Sequence, residues 1–359
     1  MFAGKKQPLQ EKIYISPFQL ALICSIMKAS EKETGGQTLS ALNIAVFTGL
    51  FDPVTVDQIS CCLSVSASEN ADLILLCLTE GSAGASAEDR WRMLTAACAG
   101  NKRMLPVSLI QQHLDPTDHK KILKHLHKAY PDDHLFIPEI PDVLSGDSKK
   151  LCPAVEEYCS LMGLYGAAPQ FERIAFWMSR LFRDLKPHRY SHSLCVARTA
   201  KELALRFGAD PVKAEEAGLL HDCAKCLPLN EMQHIARKHH LTEDPAFLSS
   251  GALLHSVTGA WVAKHRYQVE DPEILEAIAC HNTGRVGMSR LSMCVCLGDF
   301  IEPNREPFPG LDETRRLSEV SLEKALLFSL ECTRDHVLSR NNEMHPATLQ
   351  TIEWLKSLS

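Results

Sequence analysis

The sequence has no apolar run long enough to cross a membrane, and its charge is not concentrated in a basic stripe. A membrane-spanning helix needs about twenty mainly apolar residues, and the 359 residues contain no such stretch. The formal net charge is −6, whereas a nucleic-acid-binding domain usually carries a basic patch. We therefore expect neither a membrane span nor a nucleic-acid partner, although a small anionic substrate would need only local basic groups.

Cysteine is plentiful, with fourteen residues, but their spacing forms no disulfide framework. They are scattered through predicted helices and strands, and "CAKC" at 223–226 is a single CxxC pair rather than the two pairs of a zinc finger. Free thiols in a reducing compartment are the simplest interpretation, with a redox or zinc role for CAKC as the alternative. The apolar patch near the N-terminus lacks a small-residue cleavage site, so we expect a cytoplasmic protein.

The two halves of the chain differ in predicted secondary structure. Residues 41–168 alternate apolar strand-like runs, such as "NIAVFTGLFDP", "ADLILLCLTE" and "RMLPVSLI", with helical stretches, which is typical of a parallel α/β sheet. From residue 169 onward the apolar residues follow a 3.6-residue period, and helices begin at Asp210–Pro211 and Asp271–Pro272. We predict a two-domain protein, with a Rossmann-like α/β domain over 41–168, an all-α bundle over 169–359, and an extension over 1–40.

Histidines and aspartates recur on apolar faces or at the ends of the predicted helices in the second half. Burying an unpaired carboxylate costs free energy, and burying four imidazoles and two carboxylates at separate places would repeat a cost of this kind several times. Gathering them around a cation removes that cost. Imidazole and carboxylate ligands suit iron, manganese or zinc, so the residue types predict a metal site without choosing the metal. The residues are His192, His221, Asp222, His255, His281 and Asp299.

The order H…HD…H…H…D resembles the HD superfamily of metal-dependent phosphohydrolases. The stretch 186–356 is more closely similar to the YqeK family of symmetrical dinucleoside tetraphosphate hydrolases. The matching segments are "HRYSHSLCVARTAKELA", "AGLLHDCAK", "LLHSVTGA", "AIACHNTGRVGMSRL", "LGDFIEPNREPFPGLDETRR" and "HPATLQTIEWL". The resemblance implies that diadenosine tetraphosphate is split into two ADP, with iron, or another divalent transition metal such as manganese, as the cofactor.

The same resemblance implies roles for individual residues. The metal ligands would be His192, His221, Asp222 and Asp299. The catalytic residues would be Asp222, Lys225, His255 and Asp299, with Asp299 or His255 moving the proton. Lys225 and Arg305 would stabilise phosphate charge, and His255 and His281 would face the phosphates or a second metal ion.

Contacts with the nucleotide are implied for a larger set of residues. One of them departs from the family, which usually has threonine where this chain has Asn282, although an asparagine amide still donates a hydrogen bond. The substrate-binding set is His192, Asp222, Cys223, Ala224, Lys225, His255, His281, Asn282, Asp299, Arg305, Asn342, Glu343, Met344, His345, Pro346 and Ala347.

The segment "FTGLFDPVTVDQI" resembles the opening of nicotinate-nucleotide adenylyltransferases, whose pattern is G-G-x-F-D-P-x-H-x-G-H. The two histidines of that pattern, which bind the ATP phosphates in the family, fall on Thr55 and Gln58, and its later glycine falls on Asp57. Threonine and glutamine cannot carry positive charge, and Asp57 would repel a triphosphate. The resemblance therefore implies a degenerate, non-catalytic domain serving docking, regulation or dimerisation. The matching residues are Gly49, Phe51, Asp52 and Pro53.

Three other functions stay open at this point. A broader phosphohydrolase would use the same metal site on nucleoside di- or triphosphates or on cyclic nucleotides. A nucleotide sensor would bind without turnover, and a bifunctional enzyme would retain adenylyltransferase activity in its first half. For the symmetrical hydrolase, the expected ligand is a dinucleoside polyphosphate or an ADP-like small molecule, and a homodimer is compatible with the sequence.

Overall fold

The computed structural model describes residues 41–81, 84–112, 114, 117–138, 150–167 and 172–358. The predicted extension over 1–40 lies outside these residues. The chain divides into two compact units between Val155 and Glu156, inside the helix Pro153–Met162. The boundary after residue 168 stays a prediction.

A parallel four-stranded sheet forms the centre of the first unit. Its strands are β1 (Asn43–Gly49), β2 (Leu73–Leu78), β3 (Met104–Ser108) and β4 (His134–Phe136), and their order in the sheet is β3-β2-β1-β4. Every residue of β2 is buried, as expected for a central strand covered on both faces. The parallel α/β sheet predicted from the sequence is confirmed. The sequence does not predict β4, because three residues are too few to show an alternating pattern.

Helices flank this sheet, and its core is aliphatic. Side chains of Ile44, Val46, Leu73 and Leu75 pack with those of Ile122 and Leu126 in one buried cluster. The helices are α1 (Val56–Ser68), α2 (Ala87–Cys98), α3 (His119–Leu126) and α4 (Pro153–Met162), and a 3₁₀ turn spans Ile110–Gln112.

The described part of the second unit contains helices and no strand, which confirms the predicted all-α half. Several helices start as the sequence predicts, with an aspartate cap followed by proline. After α4, most of which belongs to this unit, the helices are α5 (Glu172–Asp184), α6 (Pro187–Phe207), α7 (Pro211–Leu220), α8 (Leu229–Lys238), α9 (Pro245–Ser249), α10 (Gly251–Arg266), α11 (Pro272–Cys280), α12 (Arg290–Ile301), α13 (Leu311–Ser318), α14 (Leu322–Ser339) and α15 (Pro346–Ser357). Among the described helices, none has the length and hydropathy needed to span a bilayer.

A glycine allows α7 to lie against α6. A Cβ atom on Gly218 would meet the Cα of Ala197 and the carbonyl oxygen of Val196 at 2.9 Å each. Only a residue without a side chain permits this approach of two backbones. The contact brings the end of α7, where His221 and Asp222 follow, next to the first turns of α6, which hold His192.

Candidate metal centre

The histidines and aspartates singled out from the sequence lie near one end of neighbouring helices. His192 occupies the second turn of α6, and His255 the second turn of α10. The helix α12 carries Asp299 in its last turn. The remaining three follow directly on the C-terminal ends of α7 and α11, and they are His221, Asp222 and His281.

Two carboxylates and three imidazoles converge at this end of the bundle. Nε2 of His192 lies 3.0 Å from Oδ1 of Asp299 and 3.9 Å from Oδ2 of Asp222. Nε2 of His221 lies 3.6 Å from Oδ2 of Asp222 and 3.9 Å from Oδ1 of Asp299. His281 approaches Oδ1 of Asp222 to 3.9 Å. Such separations match those between atoms bonded to one ion at roughly 2.0–2.2 Å.

The backbone fixes which nitrogen of two rings faces the cluster. Nδ1 of His221 lies 2.7 Å from the carbonyl oxygen of Gly218, and Nδ1 of His281 lies 2.8 Å from that of Ile278. A nitrogen facing a carbonyl must carry the proton, which leaves Nε2 as a bare lone pair when the ring is neutral. The lone pair of His221 faces Asp222 at 3.6 Å, an arrangement that is repulsive unless a cation lies between them. That of His281 lies 3.9 Å from Asp222 and 3.1 Å from Nε2 of His255.

Two of the nitrogen atoms in the cluster are buried without a hydrogen-bond partner. They are Nε2 of His192 and Nε2 of His221. The first is close to Asp299 but is not aligned for a hydrogen bond. Buried polar atoms are nearly always satisfied. Nε2 of His221, which has no partner, and Nε2 of His192, which meets only a charged oxygen of Asp299, therefore leave a position that a cation can fill. The residues therefore fit a divalent cation bound to imidazole nitrogens and carboxylate oxygens.

The electrostatics of the cluster favour the same ligand forms. Burial lowers the pKa of His221 and of His281, the latter to about 4, so both rings are neutral. Burial opposes a charge on His192 too, but the carboxylates of Asp299 and Glu302 outweigh it and raise the pKa of His192 to about 9. In the absence of an ion His192 holds a proton, and a cation would take the place of that proton.

Both aspartates are ionised despite their surroundings. Burial alone would raise the pKa of Asp222, but His221, His255 and Lys225 hold it well below its ordinary value. For Asp299 burial is likewise outweighed, first by His192 and then by Arg305. Two carboxylates kept charged in one cluster are a typical environment for a bound cation.

Known proteins with similar sequences share this part of the chain. The HD domain family matches residues 189–319, a range that includes all six histidines and aspartates singled out from the sequence. The protein of Bacillus subtilis (strain 168) named "Bis(5'-nucleosyl)-tetraphosphatase, symmetrical" is 41% identical over 177 residues, which cover 49% of this chain and 93% of that protein. This chain belongs to the HD-domain family of symmetrical bis(5'-nucleosyl)-tetraphosphatases. It is a hydrolase, and the resemblance stated from its motifs is confirmed.

Two further similarities involve proteins with other names. A Mycoplasma genitalium protein named "Probable nicotinate-nucleotide adenylyltransferase/Ap4A hydrolase" is 34% identical over 155 residues, or 42% of this chain and 43% of that protein. Its name joins the two families that the two halves of this chain resemble. A solved Clostridium acetobutylicum structure, described as a predicted HD superfamily hydrolase involved in NAD metabolism, is 34% identical with a TM-score of 0.49 and covers 52% of this chain and 97% of that one.

Positive groups surround the carboxylates of this tetraphosphatase-family site. Nζ of Lys225 lies 3.7 Å from Oδ1 of Asp222 and 3.0 Å from Nε2 of His255. Arg305 donates to Oδ1 of Asp299 at 2.5 Å, and its predicted contact with the phosphates stays a prediction. Arg189, which the sequence analysis does not single out, donates to Oδ2 of Asp222 at 2.9 Å. These three side chains are partly exposed, whereas the histidines beneath them are buried.

A second residue missing from the sequence predictions is Glu302. It is buried, and its Oε1 lies 3.1 Å from Nδ1 of His192. Its position three residues after Asp299 was the available signal, because residues three apart share a helix face. The family resemblance does not identify Glu302. A motif reveals metal ligands through their residue types and spacing, but it does not reveal the residues that orient those ligands.

Other predicted nucleotide contacts lie around the cluster and stay predictions. Cys223 and Ala224 are buried on the turn after α7, where the Cys223 thiol donates to the carbonyl of Gly259 at 3.4 Å. Asn282 donates to the carbonyl of Ala252 at 2.7 Å, which ties the turn after α11 to the start of α10. In the segment 342–347, the ring of His345 lies 3.1 Å from Asp244 and accepts from the backbone of its own helix.

Proposed function

We propose that this chain hydrolyses diadenosine tetraphosphate symmetrically to two ADP, at a divalent metal held by His192, His221, Asp222 and Asp299. Iron is the proposed metal, with manganese as the alternative that the same ligands accept. The observation that carries the proposal is the pair of buried imidazole nitrogens that face two ionised carboxylates without a hydrogen-bond partner. The name of the 41% identical relative supports the choice of substrate.

The protein supplies charge and orientation around the phosphates. When bound, a divalent cation lowers the pKa of water and offsets the charge that repels a nucleophile from a polyphosphate. Lys225, Arg189 and Arg305 are held in place by Asp222 or Asp299 before any substrate arrives. Charges fixed in advance stabilise the developing negative charge without having to reorganise during the reaction.

His255 is the better of the two proton acceptors suggested by the sequence. The Oδ1 atom of Asp299 already faces both His192 and Arg305. Burial lowers the pKa of His255, so its ring is neutral and keeps one unprotonated nitrogen that can accept a proton. Its Nε2 lies 3.2 Å from Oδ1 of Asp222 and 3.0 Å from Nζ of Lys225. We assign His255 to take the proton from the attacking water and Asp299 to hold the metal.

The proposed step cleaves the central anhydride of the tetraphosphate. The water oxygen forms a bond to one inner phosphorus, the bridging oxygen leaves with the other half of the molecule, and the water proton passes to His255. Both products are then ADP. Lys225 lies beside His255 and is placed to stabilise the charge on the departing diphosphate.

Product analysis tests this assignment. Protein loaded with iron(II) or manganese is incubated with diadenosine tetraphosphate, and the nucleotides are separated by ion-exchange chromatography. ADP as the sole product, lost on adding a chelator, is expected. AMP with ATP would contradict symmetrical cleavage, and binding without turnover would favour the sensor. Faster turnover of nucleoside di- or triphosphates or cyclic nucleotides would favour the broader phosphohydrolase.

We propose that the first half has no adenylyltransferase activity. The two residues that replace the family's histidines bond to each other at the start of α1, with Thr55 Oγ1 accepting from the Gln58 amide at 3.3 Å and Gln58 Oε1 accepting from the Thr55 amide at 3.0 Å. The carboxylate of Asp52 accepts from the amides of Gly84 and Ala85. These groups are occupied in holding the loop and helix together. No pyrophosphate should form from ATP and nicotinate mononucleotide.

A further inference from the structure

One residue outside the ligand set contacts a ligand directly. Glu302 caps the end of α12, and its carboxylate is buried beside His192. Oε1 faces Nδ1 of His192 at 3.1 Å, and Oε2 accepts the backbone N–H of Asn304 at 2.6 Å. Both oxygens of this carboxylate therefore face donors, provided that Nδ1 of His192 carries a hydrogen.

The loop that follows holds Glu302 in this orientation. Its backbone carbonyl accepts from Arg315 at 2.8 Å, and the side-chain amide of Asn304 lies 3.4 Å from Oγ of Ser191, the residue before His192. The carboxylate thus reaches His192 from a turn that is fixed by hydrogen bonds from Arg315 and Asn304. A mobile surface glutamate could not select one orientation of a buried ring.

The same contact determines which nitrogen of His192 is free. An imidazole that binds a cation through Nε2 must keep its hydrogen on Nδ1. A carboxylate accepting that hydrogen fixes the ring orientation and makes Nε2 a stronger donor of electrons to a metal. His221 and His281 use backbone carbonyls for the same purpose, so His192 is the ring whose orientation depends on a replaceable side chain.

We propose that Glu302 is a positioning residue that holds His192 in the tautomer and orientation required for metal binding. The proposal rests on the proposed metal site. Glu302 itself touches neither metal nor substrate in this assignment, and it acts through the ring of His192.

Replacing Glu302 with glutamine tests the proposal, because an amide has only one acceptor oxygen. In Glu302→Gln, that oxygen can accept from His192 or from the amide of Asn304, and the NH₂ group opposes the other donor. Cobalt(II), used as a spectroscopic probe, should bind the full-length variant roughly 10–100-fold more weakly than the unaltered chain in a competition with a chelator. The matched control is Glu216→Gln, which alters another buried glutamate, paired with Arg173, and should leave cobalt affinity within twofold.

A second measurement separates positioning from general damage. In the cobalt-loaded unaltered chain, the ring N–H of His192 should give a strongly shifted, exchangeable proton signal, assigned by its absence in His192→Ala. The signal should disappear or move in Glu302→Gln, while the corresponding signal of His221 stays and the metal-free melting temperature changes little. Glu302→Asp, which keeps the charge on a shorter side chain, should bind cobalt with intermediate affinity.

The outcomes distinguish this inference from the proposed function. If the unaltered chain binds no cobalt, the metal site itself is wrong. If it binds cobalt and Glu302→Gln binds equally well with the same His192 signal, Glu302 has no positioning role. Should the glutamine variant fail to fold, comparison of Glu302→Asp with Glu216→Asp decides, and equal affinities would overturn the inference.

Discussion

Hydrogen bonds to Nδ1 orient the individual histidines that we propose as metal ligands. Backbone carbonyls hold the Nδ1 hydrogens of His221 and His281, and Glu302 faces that of His192. Each bond leaves Nε2 directed at Asp222 or Asp299. Because the imidazoles are the neutral members of the proposed ligand set, the negative charge that would attract a cation comes from the two carboxylates.

Replacing Asp222 with asparagine removes one charge and keeps the shape of the side chain. We expect Asp222→Asn to lose metal on dialysis and to lower turnover of diadenosine tetraphosphate at least ~100-fold. Replacing a residue that only supports a metal ligand already lowers metal affinity or activity about 10–100-fold, and replacing a ligand should lower them further. Elemental analysis and product chromatography measure both effects. Asp335→Asn, an exposed residue beside Arg334, is the control and should behave as the unaltered chain. Full activity of Asp222→Asn would exclude it as a ligand.

A buried glutamate away from the metal site carries a cost in stability. Burial, followed by the nearby carboxylate of Glu215, raises the pKa of Glu157 well above its ordinary value, while Lys201 and Arg198 act in the opposite direction. One of its oxygens has no hydrogen-bond partner. Because the folded state binds the proton more tightly than the unfolded state, the contribution of Glu157 to stability is present below about pH 4.5 and falls as the pH rises.

Glu157→Gln should therefore stabilise the protein near neutral pH. The expected gain is about 1 kcal/mol in the free energy of unfolding at pH 7.5, the order of one relieved desolvation penalty, and it should vanish near pH 4.5. Urea titrations at the two pH values measure it. Glu156→Gln changes the exposed neighbour that pairs with Arg198 and should alter stability by less than ~0.5 kcal/mol. An equal gain at both pH values would contradict the explanation.

Packing between α6 and α7 determines where the ligands meet. Gly218 allows the two backbones to touch, and its carbonyl also accepts the hydrogen of His221. One residue thus serves both the helix contact and the orientation of a ligand.

Gly218→Ala should disturb both roles. The added methyl group would meet backbone atoms, which cannot rotate away, so we expect a loss of about 2 kcal/mol in the free energy of unfolding together with weaker metal binding. Denaturant titration and chelator competition give the two quantities. Gly100→Ala is the comparison, because a Cβ there meets nothing within 4 Å. A stable variant with unchanged metal affinity would show that the helices can separate at no cost.

The sequence predicts the long elements well and the supporting contacts poorly. β1 and β2 are recognisable because buried parallel strands are continuous apolar runs, and α7 and α11 because Asp-Pro marks their starts. Arg189 and Glu302 are not recognisable in this way. Each is an ordinary charged residue in a helical sequence, and only the folded structure shows that its partner is a metal-site residue. Spacing predicts which ligands can meet, but it does not show what holds them.

The two units differ in what a metal ion would do to their stability. The proposed ligands all belong to the unit that begins at Glu156, so metal binding is coupled to the folding of that unit. Three of the four tryptophans, Trp177, Trp261 and Trp354, lie in it, and Trp91 lies in the other. Tryptophan fluorescence therefore reports mainly on the helical unit.

Adding metal should raise the thermal unfolding midpoint seen by this fluorescence. At a free metal concentration 100 times the dissociation constant, the gain is about 2.7 kcal/mol, or roughly 5–10 °C for a unit of this size. The shift should be absent in Asp222→Asn and should reverse with a chelator. An identical shift in that variant would mean that the metal binds elsewhere.

The hydrogen-bonded pair at the start of α1 affects any attempt to restore a phosphate site in the first half. Putting histidines at positions 55 and 58 would remove the reciprocal bonds between Thr55 and Gln58 before any ATP could bind. The helix would lose its N-terminal cap, and Asp57 would still lie between the new rings. Introducing a phosphate site here would thus require rebuilding the turn as a whole, because each single substitution removes a hydrogen bond that holds the start of α1.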